Sequence, residues 1–347
     1  KRQVLHISGR NMQSVVIEND GLEEVSDSVC PPTVENREQF LQAVRNSGSI
    51  GLGGAGFPTS LKLGFDPKEK QPDFLIINGA ECEPYITSDY RCFMEEGEDV
   101  LEGVLLMLKY LGIPKCIIGI EKNKPKAIEK MTRLCEKHDN ITVKALKSSY
   151  PQGAEKTLIF STTGRVVKEG TLPLASGCIV VNSSTAAFIA QYIRTGMPLV
   201  KRRITVDGNI VKKPSNFIVP VGMSIGEIVY YAELSDKPDR IILGGPMMGA
   251  CAFDPDYPLS KTNNAVLMFA DSPVYEPSEC IRCGKCVKAC SMNLLPTELE
   301  HAFDMRDARR LEKLKVNLCV NCGACSFVCP ATVSYTHLRA HETELHL

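Results

Sequence analysis

The chain has 347 residues and a formal net charge of −1. That length gives room for about two domains and a small module, and the charge leaves no basic footprint for nucleic acid. No secretory signal pattern is expected, and no apolar run reaches the length of about 18 residues that a membrane-spanning helix needs. The most apolar stretch, 100–120, is broken by Glu102, Lys109, Gly112, Pro114 and Lys115. Membrane association is therefore expected to be peripheral, through partners.

The chain opens at Lys1 in strand-like sequence, as expected of an N-terminally truncated protein. Residues 4–30 alternate apolar and polar, as in Val15-Val16-Ile17-Glu18, and read as the end of a β-rich unit. Residues 34–44 read as a short amphipathic helix with Phe40, Leu41 and Val44 on one face. Next comes Gly51-Leu52-Gly53-Gly54-Ala55-Gly56-Phe57-Pro58-Thr59, with four glycines in six residues. Without side chains in the way, its N–H groups can converge on an anion such as a phosphate. By itself the loop is equally consistent with a tight turn, since it is neither a dinucleotide fingerprint nor a Walker loop.

Strands and helices then alternate. Residues 74–78, 116–120 and 141–146 read as strands, and 100–111 and 126–137 as helices. This order implies a parallel sheet covered by helices. Ligands of such sheets sit beyond the carboxyl ends of the strands, where Asn78, Glu81 and Glu83 follow the first strand; the alternative is a pair of solvated loop carboxylates. The turn Tyr150-Pro151-Gln152-Gly153-Ala154-Glu155-Lys156 leads into a helix, and Asn182 ends a strand before a helix over 185–195. Asn182 and Thr185 are placed either to cap that helix or to bind a phosphate. Residues 203–206 and 210–212 read as a hairpin around Asp207-Gly208-Asn209. Ser224–Glu227 has capping-box form before a helix at 228–234, and 240–243 reads as another strand. This smaller unit shows no chemistry of its own. Pro273 and Pro277 mark a linker.

Of the fifteen cysteines, seven (Cys30, Cys82, Cys92, Cys116, Cys135, Cys178 and Cys251) are scattered without framework spacing. Cys82 and Cys92 read as small buried hydrophobes, contact with the ligand-binding region being the alternative. The other eight form two runs, Cys280-x2-Cys283-x2-Cys286-x3-Cys290 and Cys319-x2-Cys322-x2-Cys325-x3-Cys329-Pro330. Each run matches the bacterial pattern in which three thiolates hold three corners of a [4Fe–4S] cube and the fourth ligates the other cube. Cys280, Cys283, Cys286 and Cys329 are then the ligands of one cluster, and Cys290, Cys319, Cys322 and Cys325 of the second. Two all-cysteine zinc sites are the alternative, although zinc ribbons usually space their ligands as two separated C-x2-C units. Such clusters fit a reducing compartment better than a disulfide-forming one. Between the runs, 297–314 carries a helical stripe of Leu299, Ala302, Phe303 and Leu311, expected to cover the clusters. Residues 335–347 read as a non-native tail resembling translated adapter sequence; His337 and His341 within it are not taken as metal ligands.

The 51–59 loop, Asn78-Gly79-Ala80-Glu81-Cys82-Glu83-Pro84-Tyr85, the 150–156 turn and the doubled cysteine run occur in one order. Together they resemble the C subunit of the Rnf complex, a membrane-bound ion-translocating oxidoreductase, over nearly all of residues 10–330. The loop is more distantly similar to that of the NADH-binding flavin subunit of respiratory complex I. The resemblance implies binding of FMN and NADH by Gly51, Gly53, Gly54, Gly56 and Phe57, with Lys62, Asn78, Glu81, Glu83, Glu155 and Asn182. Ala80 stands where the complex I segment has Asp, and Ser291 where Pro usually follows the fourth cysteine.

The expected architecture is α/β, with a remnant of a β-rich domain at 1–30 and a Rossmann-like parallel-sheet FMN/NADH-binding domain at 31–198. A small β-grasp domain at 199–250, of the soluble-ligand-binding type, a linker at 251–277 and a two-cluster ferredoxin-type module at 278–334 complete it. The implied function is electron transfer between NAD(H), FMN and two [4Fe–4S] clusters, in NAD:ferredoxin oxidoreduction coupled to Na+ or H+ movement. Its partners would be the other subunits of a membrane-bound complex and, through them, ferredoxin, at the cytoplasmic face of the cell membrane. Two alternatives remain open: a soluble relative feeding a cytoplasmic amino-acid reductase, and a non-catalytic zinc-binding scaffold.

Overall fold

The computed structural model describes residues 2–5, 11–22, 24–252, 254–273, 275–333 and 335. It opens with a hairpin, β1 (Arg2–Leu5) against β2 (Asn11–Ser14). The run Val15-Val16-Ile17-Glu18, expected to continue a β-rich unit, lies past the end of β2 and is exposed. Among the described residues, no neighbouring strand covers its apolar side chains.

A helical start, α1 (Arg37–Asn46) and α2 (Thr59–Leu63), flanks the glycine-rich loop. The body then runs β3 (Phe74–Gly79), α3 (Ser88–Glu95), α4 (Gly97–Leu111), β4 (Lys115–Glu121), α5 (Pro125–Cys135), β5 (Ile141–Leu146), α6 (Glu155–Thr163), β6 (Cys178–Asn182) and α7 (Ser183–Thr195). The four strands form one parallel sheet in the order β5-β4-β3-β6. Its central strands are apolar along their length because both faces are covered. Leu75, Ile77, Ile118, Ile120 and Val181 face the large core shared with α3, α4 and α7, while Ile76 and Val180 join Leu158 and Ile159 of α6 on the other side.

Helix α4 shows how the sequence builds this body. Val100, Val104, Met107, Leu108 and Leu111 recur at helical spacing and are buried. Each such side chain contributes about 1.5–3 kcal/mol when fully buried. Glu98 and Asp99 lie in the first turn, where the helix dipole favours acids. Gly112 ends the helix in a left-handed conformation (φ 66°).

The second sheet is built from β7 (Lys201–Asp207), β8 (Ser215–Pro220), β9 (Arg240–Leu243), β10 (Ala250–Ala252) and β11 (Ala265–Phe269), in the order β10-β9-β11-β7-β8. Helix α8 (Ile225–Tyr231), with Ser224 and Glu227 in a capping box, packs on it through Ile225 and Ile228. Two expectations change here. The partner of β7 is β8, not 210–212: Ile204 pairs with Phe217 and Val206 with Ser215, and Val211 bridges to Leu234 instead. The stretch 251–277, expected to be a linker, supplies β11, which is the central strand and pairs parallel with β7. Residues 265–268 are fully buried, so the sheet needs this strand to close its core.

The C-terminal module is a repeat offset by 39 residues. Helices α9 (Lys285–Ala289) and α12 (Ala324–Phe327) start at left-handed Gly284 and Gly323. Arg282 and Asn321 are also left-handed at matching positions, as are Asn293 and Thr332. Between the repeats, the expected single helix is two, α10 (Pro296–Asp304) and α11 (Ala308–Lys313), broken at left-handed Arg306. Leu299, Ala302 and Leu311 form the core of this module with Cys286. Tyr335, counted with the tail by its sequence, packs in that core, and its N–H donates to Ser326 Oγ at 2.8 Å. The rest of 335–347, including His337 and His341, lies outside the described residues. Among the described residues, no helix is long and apolar enough to cross a membrane.

Candidate functional site

The eight clustered cysteines line two separate cavities. One cavity is lined by Cys280, Cys283, Cys286 and Cys329, and a second by Cys290, Cys319, Cys322 and Cys325. In each, three ligands come from one run and the fourth from the other run, because α9 and α12 pack against each other and carry the two ends across. Among the described residues, no three His, Cys, Asp or Glu side chains gather as ligands of a single ion; these sulfurs ring a space. Main-chain N–H groups point at sulfur in the same way in both repeats. Arg282 N donates to Cys280 Sγ and Asn321 N to Cys319 Sγ, each at 3.4 Å, and Leu294 N donates to Cys290 Sγ at 3.3 Å. Left-handed backbone at Arg282 and Asn321 turns those donors inward. Such bonds stabilise thiolate charge and tune a cluster's potential. The donor set and the cavities fit two cubanes.

At the carboxyl ends of β3 and β6 a second group of residues converges. The loop at 51–57 closes on itself through Gly51 N to Phe57 O (2.9 Å) and Gly56 N to Gly51 O (3.2 Å). Gly53, Gly54 and Ala55 are exposed, and among the described residues their N–H groups donate to no protein acceptor. Gly53 lies against Asn182; a Cβ there would sit 3.2 Å from the Asn182 amide nitrogen. Asn182 caps α7 by accepting from Ser184 N and Thr185 N, and its amide donates to Asp89 Oδ2 at 2.8 Å. Lys62 Nζ donates to Glu155 Oε1 (2.7 Å) and to Val180 O (3.1 Å). Asn78 ties the 150–156 turn to β3, donating to Gly153 O at 2.9 Å and accepting from Ala80 N at 3.0 Å. Ala80 itself is buried in the core on the α6 side of the sheet. Gly53 of the loop thus meets Asn182, Lys62 meets Glu155, and Asn78 meets the 150–156 turn. Free N–H groups on an open loop suit a phosphate-bearing cofactor such as FMN.

Glu81 and Glu83 belong to a neighbouring cleft of about 700 Å3 over β3, β4 and β5, also lined by Tyr85, Lys124, Ser149 and Tyr150. The glycine-rich loop is not part of its lining. Glu81 is turned inward, accepting from Ser88 Oγ (3.4 Å), Asp89 N (2.8 Å) and Tyr90 N (3.3 Å) at the start of α3. Burial and the nearby Asp89 push its pKa up to about 8, against the pull of Lys124 and two N–H donors. Glu83 Oε2 accepts from Met247 N at 3.0 Å, while its Oε1 is buried without a hydrogen-bond partner. Burial raises its pKa as well.

Sequence reasoning missed Asp89, Lys124, Tyr150 and Arg202 as site residues. Lys124 Nζ donates to Glu81 O at 2.9 Å and lies 3.5 Å from Glu121 Oε2. Asp89 and Arg202 act across long stretches of chain, which leaves no local pattern to read. Cys92 is fully buried as expected, whereas Cys82 is half-buried and lines the cleft.

Residues 44–191 match the Nuo51 FMN-binding domain family, and 266–334 match the 4Fe-4S dicluster domain family. The chain is 40% identical over 300 residues to the C subunit of the Na(+)-translocating ferredoxin:NAD(+) oxidoreductase complex of Acetobacterium woodii, covering 85% of this chain and 68% of that protein. The chain belongs to the family of C subunits of ion-translocating oxidoreductase complexes. A second member, the C subunit of the proton-translocating ferredoxin:NAD(+) oxidoreductase complex of Clostridium ljungdahlii, is 40% identical over 314 residues, covering 88% of this chain and 68% of that protein. A chain of an NAD+-reducing [NiFe]-hydrogenase in the H2-reduced state shares the fold, with TM-score 0.63 and 20% identity over 91% of this chain and 63% of that one. As a member of this family, the chain joins an FMN-binding domain of Nuo51 type, a unit built on the five-stranded mixed sheet and a two-cluster module.

Proposed function

We propose that this chain is the electron-transfer subunit of a membrane-bound Rnf-type complex. It passes electrons between NAD(H) and the complex's other subunits, and through them ferredoxin, in a reaction coupled to Na+ or H+ movement. Its place is peripheral, at the cytoplasmic face of the membrane. The observation that carries this reading is the sorting of eight cysteines into two four-sulfur cavities, one of which abuts the cleft at the end of the parallel sheet.

The chain's own residues do four things in this account. Gly53, Gly54 and Ala55 offer main-chain N–H groups to a flavin phosphate, and Asn182 and the Lys62–Glu155 pair stand beside them. Glu81 and Glu83 line the cleft that receives the nicotinamide nucleotide. The eight thiolates hold the clusters, and the N–H groups of Arg282, Leu294 and Asn321 stabilise charge on three of the sulfurs. Tyr150 ties the second cluster's loop to the cleft, and Glu83 holds the Met247 main chain that lies against Gly323. When bound, FMN supplies the exchange between two-electron hydride chemistry and the one-electron chemistry of iron–sulfur clusters.

A cofactor inventory on protein purified without oxygen tests the proposal. About eight irons with matching sulfide, and one FMN per chain, are expected from two cubanes and one flavin. Two zincs and no flavin would overturn it in favour of a scaffold.

A further inference from the structure

The glycine-rich loop is held from below by the unit built on the five-stranded sheet, which the sequence left without chemistry. Arg202 of β7 is only 5% exposed. Its Nη2 donates to Leu52 O at 3.1 Å, and its Nη1 donates to Lys261 O. Lys261, between β10 and β11, reaches over to donate from Nζ to Gly48 O at 2.9 Å. Thr262 stands against the other end of the loop, where a Cβ at Gly56 would sit 2.5 Å from its methyl group. Gly56 is also left-handed, at φ 66°, so only glycine fits both demands. From α7, Thr185 Oγ1 accepts from Leu52 N (2.9 Å) and contacts Ile50 O (3.3 Å). The main chain at 48–52 is therefore gripped alternately by the two units, and the next three residues are left open.

A guanidinium this deeply buried is costly unless its donors are used and a counter-charge is near. Both conditions hold. Its donors take three carbonyl oxygens, those of Leu52, Lys261 and Arg203, and Asp89, the acceptor of the Asn182 amide, supplies the opposing charge. The same carboxylate thus connects the cation under the loop to the Asn beside it.

We propose that Arg202 and Lys261 are positioning residues of the flavin site: they fix the 51–57 loop in the shape whose free N–H groups receive the FMN phosphate. The unit built on the five-stranded sheet is then a working part of that site. This rests on the reading of the loop as the flavin-phosphate cradle.

The test uses the full chain, reconstituted anaerobically and stripped of flavin, with FMN as the probe and fluorescence quenching as the readout. Arg202→Lys keeps the charge but cannot span the Leu52 and Lys261 carbonyls, and Lys261→Met removes the other grip. Each is expected to raise the FMN Kd about tenfold, the scale of one hydrogen bond from a charged group. Iron content should not change, and the flavin-free melting temperature should stay within about 4 °C. Lys261→Arg, whose longer cation still reaches Gly48 O, is expected to restore binding. A Kd within twofold of wild type for Lys261→Met overturns the proposal, as does weakening that Lys261→Arg does not rescue. Lys261→Met decides the matter even where Arg202→Lys does not fold. A wild-type chain with full iron that binds no FMN overturns the reading of the loop itself, and the proposal with it.

Discussion

The Tyr150 hydroxyl donates to the main-chain carbonyl oxygen of Cys322 at 2.5 Å. One residue therefore belongs both to the wall of the sheet-end cleft and to the surroundings of a cluster ligand. Burial and neighbouring anionic groups raise the phenol's pKa, so it stays a donor at any ordinary pH. Beside it, Met247 N donates to Glu83, and the Met247 carbonyl lies 2.7 Å from where a Cβ on Gly323 would be. Three units meet at this point.

Replacing Tyr150 with Phe removes the link and leaves the Cys322 carbonyl without that donor. Loss of a neutral hydrogen bond costs about 0.5–1.5 kcal/mol. The variant is expected to keep its iron and FMN but to melt lower, and its clusters should be reduced by NADH more slowly. Stopped-flow absorbance against wild type checks this.

The crossed ligand sets give a sharper forecast. Cys290→Ala and Cys322→Ala should lose the same EPR signal although they come from different runs, because both line one cavity. Cys283→Ala and Cys329→Ala should lose the other. Each variant is expected to keep about four of eight irons and an intact flavin site. Pairing by run instead of by cavity would show the assignment to be wrong.

Glu81 makes stability depend on pH. Its folded pKa of about 8 lies above the ordinary 4.5, so the native state holds a proton that the unfolded chain releases in between. Its contribution is present below about 4.5 and lost as pH rises through about 8. Glu81→Gln carries no such proton. Its melting temperature relative to wild type should therefore climb from about pH 5 to about pH 9, and a constant difference would refute the burial argument.

Gly103 on α4 faces the Ala186 backbone of α7 so closely that a Cβ would overlap the carbonyl. Gly103→Ala should cost about 1–3 kcal/mol by forcing the helices apart, measurable by thermal denaturation.

Much of this was legible from sequence where the signal is local. The strands at 74–78 and 116–120 are short apolar runs between helices, 141–146 is a more mixed one, and the cysteine spacing divides the eight sulfurs into the same two sets that line the two cavities. Strand β11 was missed although Ala-Val-Leu-Met-Phe is a five-residue apolar run, because prolines 273 and 277 drew attention to a linker. The β7 partner was misplaced because the turn at Asp207-Gly208-Asn209 looked like a tight hairpin, whereas the sheet pairs β7 with residues further along. Arg202, Asp89 and Tyr150 were unreadable in principle. Arg202 gains its meaning from Leu52, 150 positions away, and Tyr150 from Cys322, 172 positions away. Such contacts exist only once the domains have packed.

The central claim is that a nucleotide-binding body feeds two cubanes in the same chain. Its most direct test is an anaerobic NADH titration of the reconstituted protein, followed by visible absorbance and EPR. Bleaching of the flavin band with the appearance of reduced-cluster signals is predicted. An unchanged flavin spectrum and silent clusters, in protein with full iron and FMN, would contradict it.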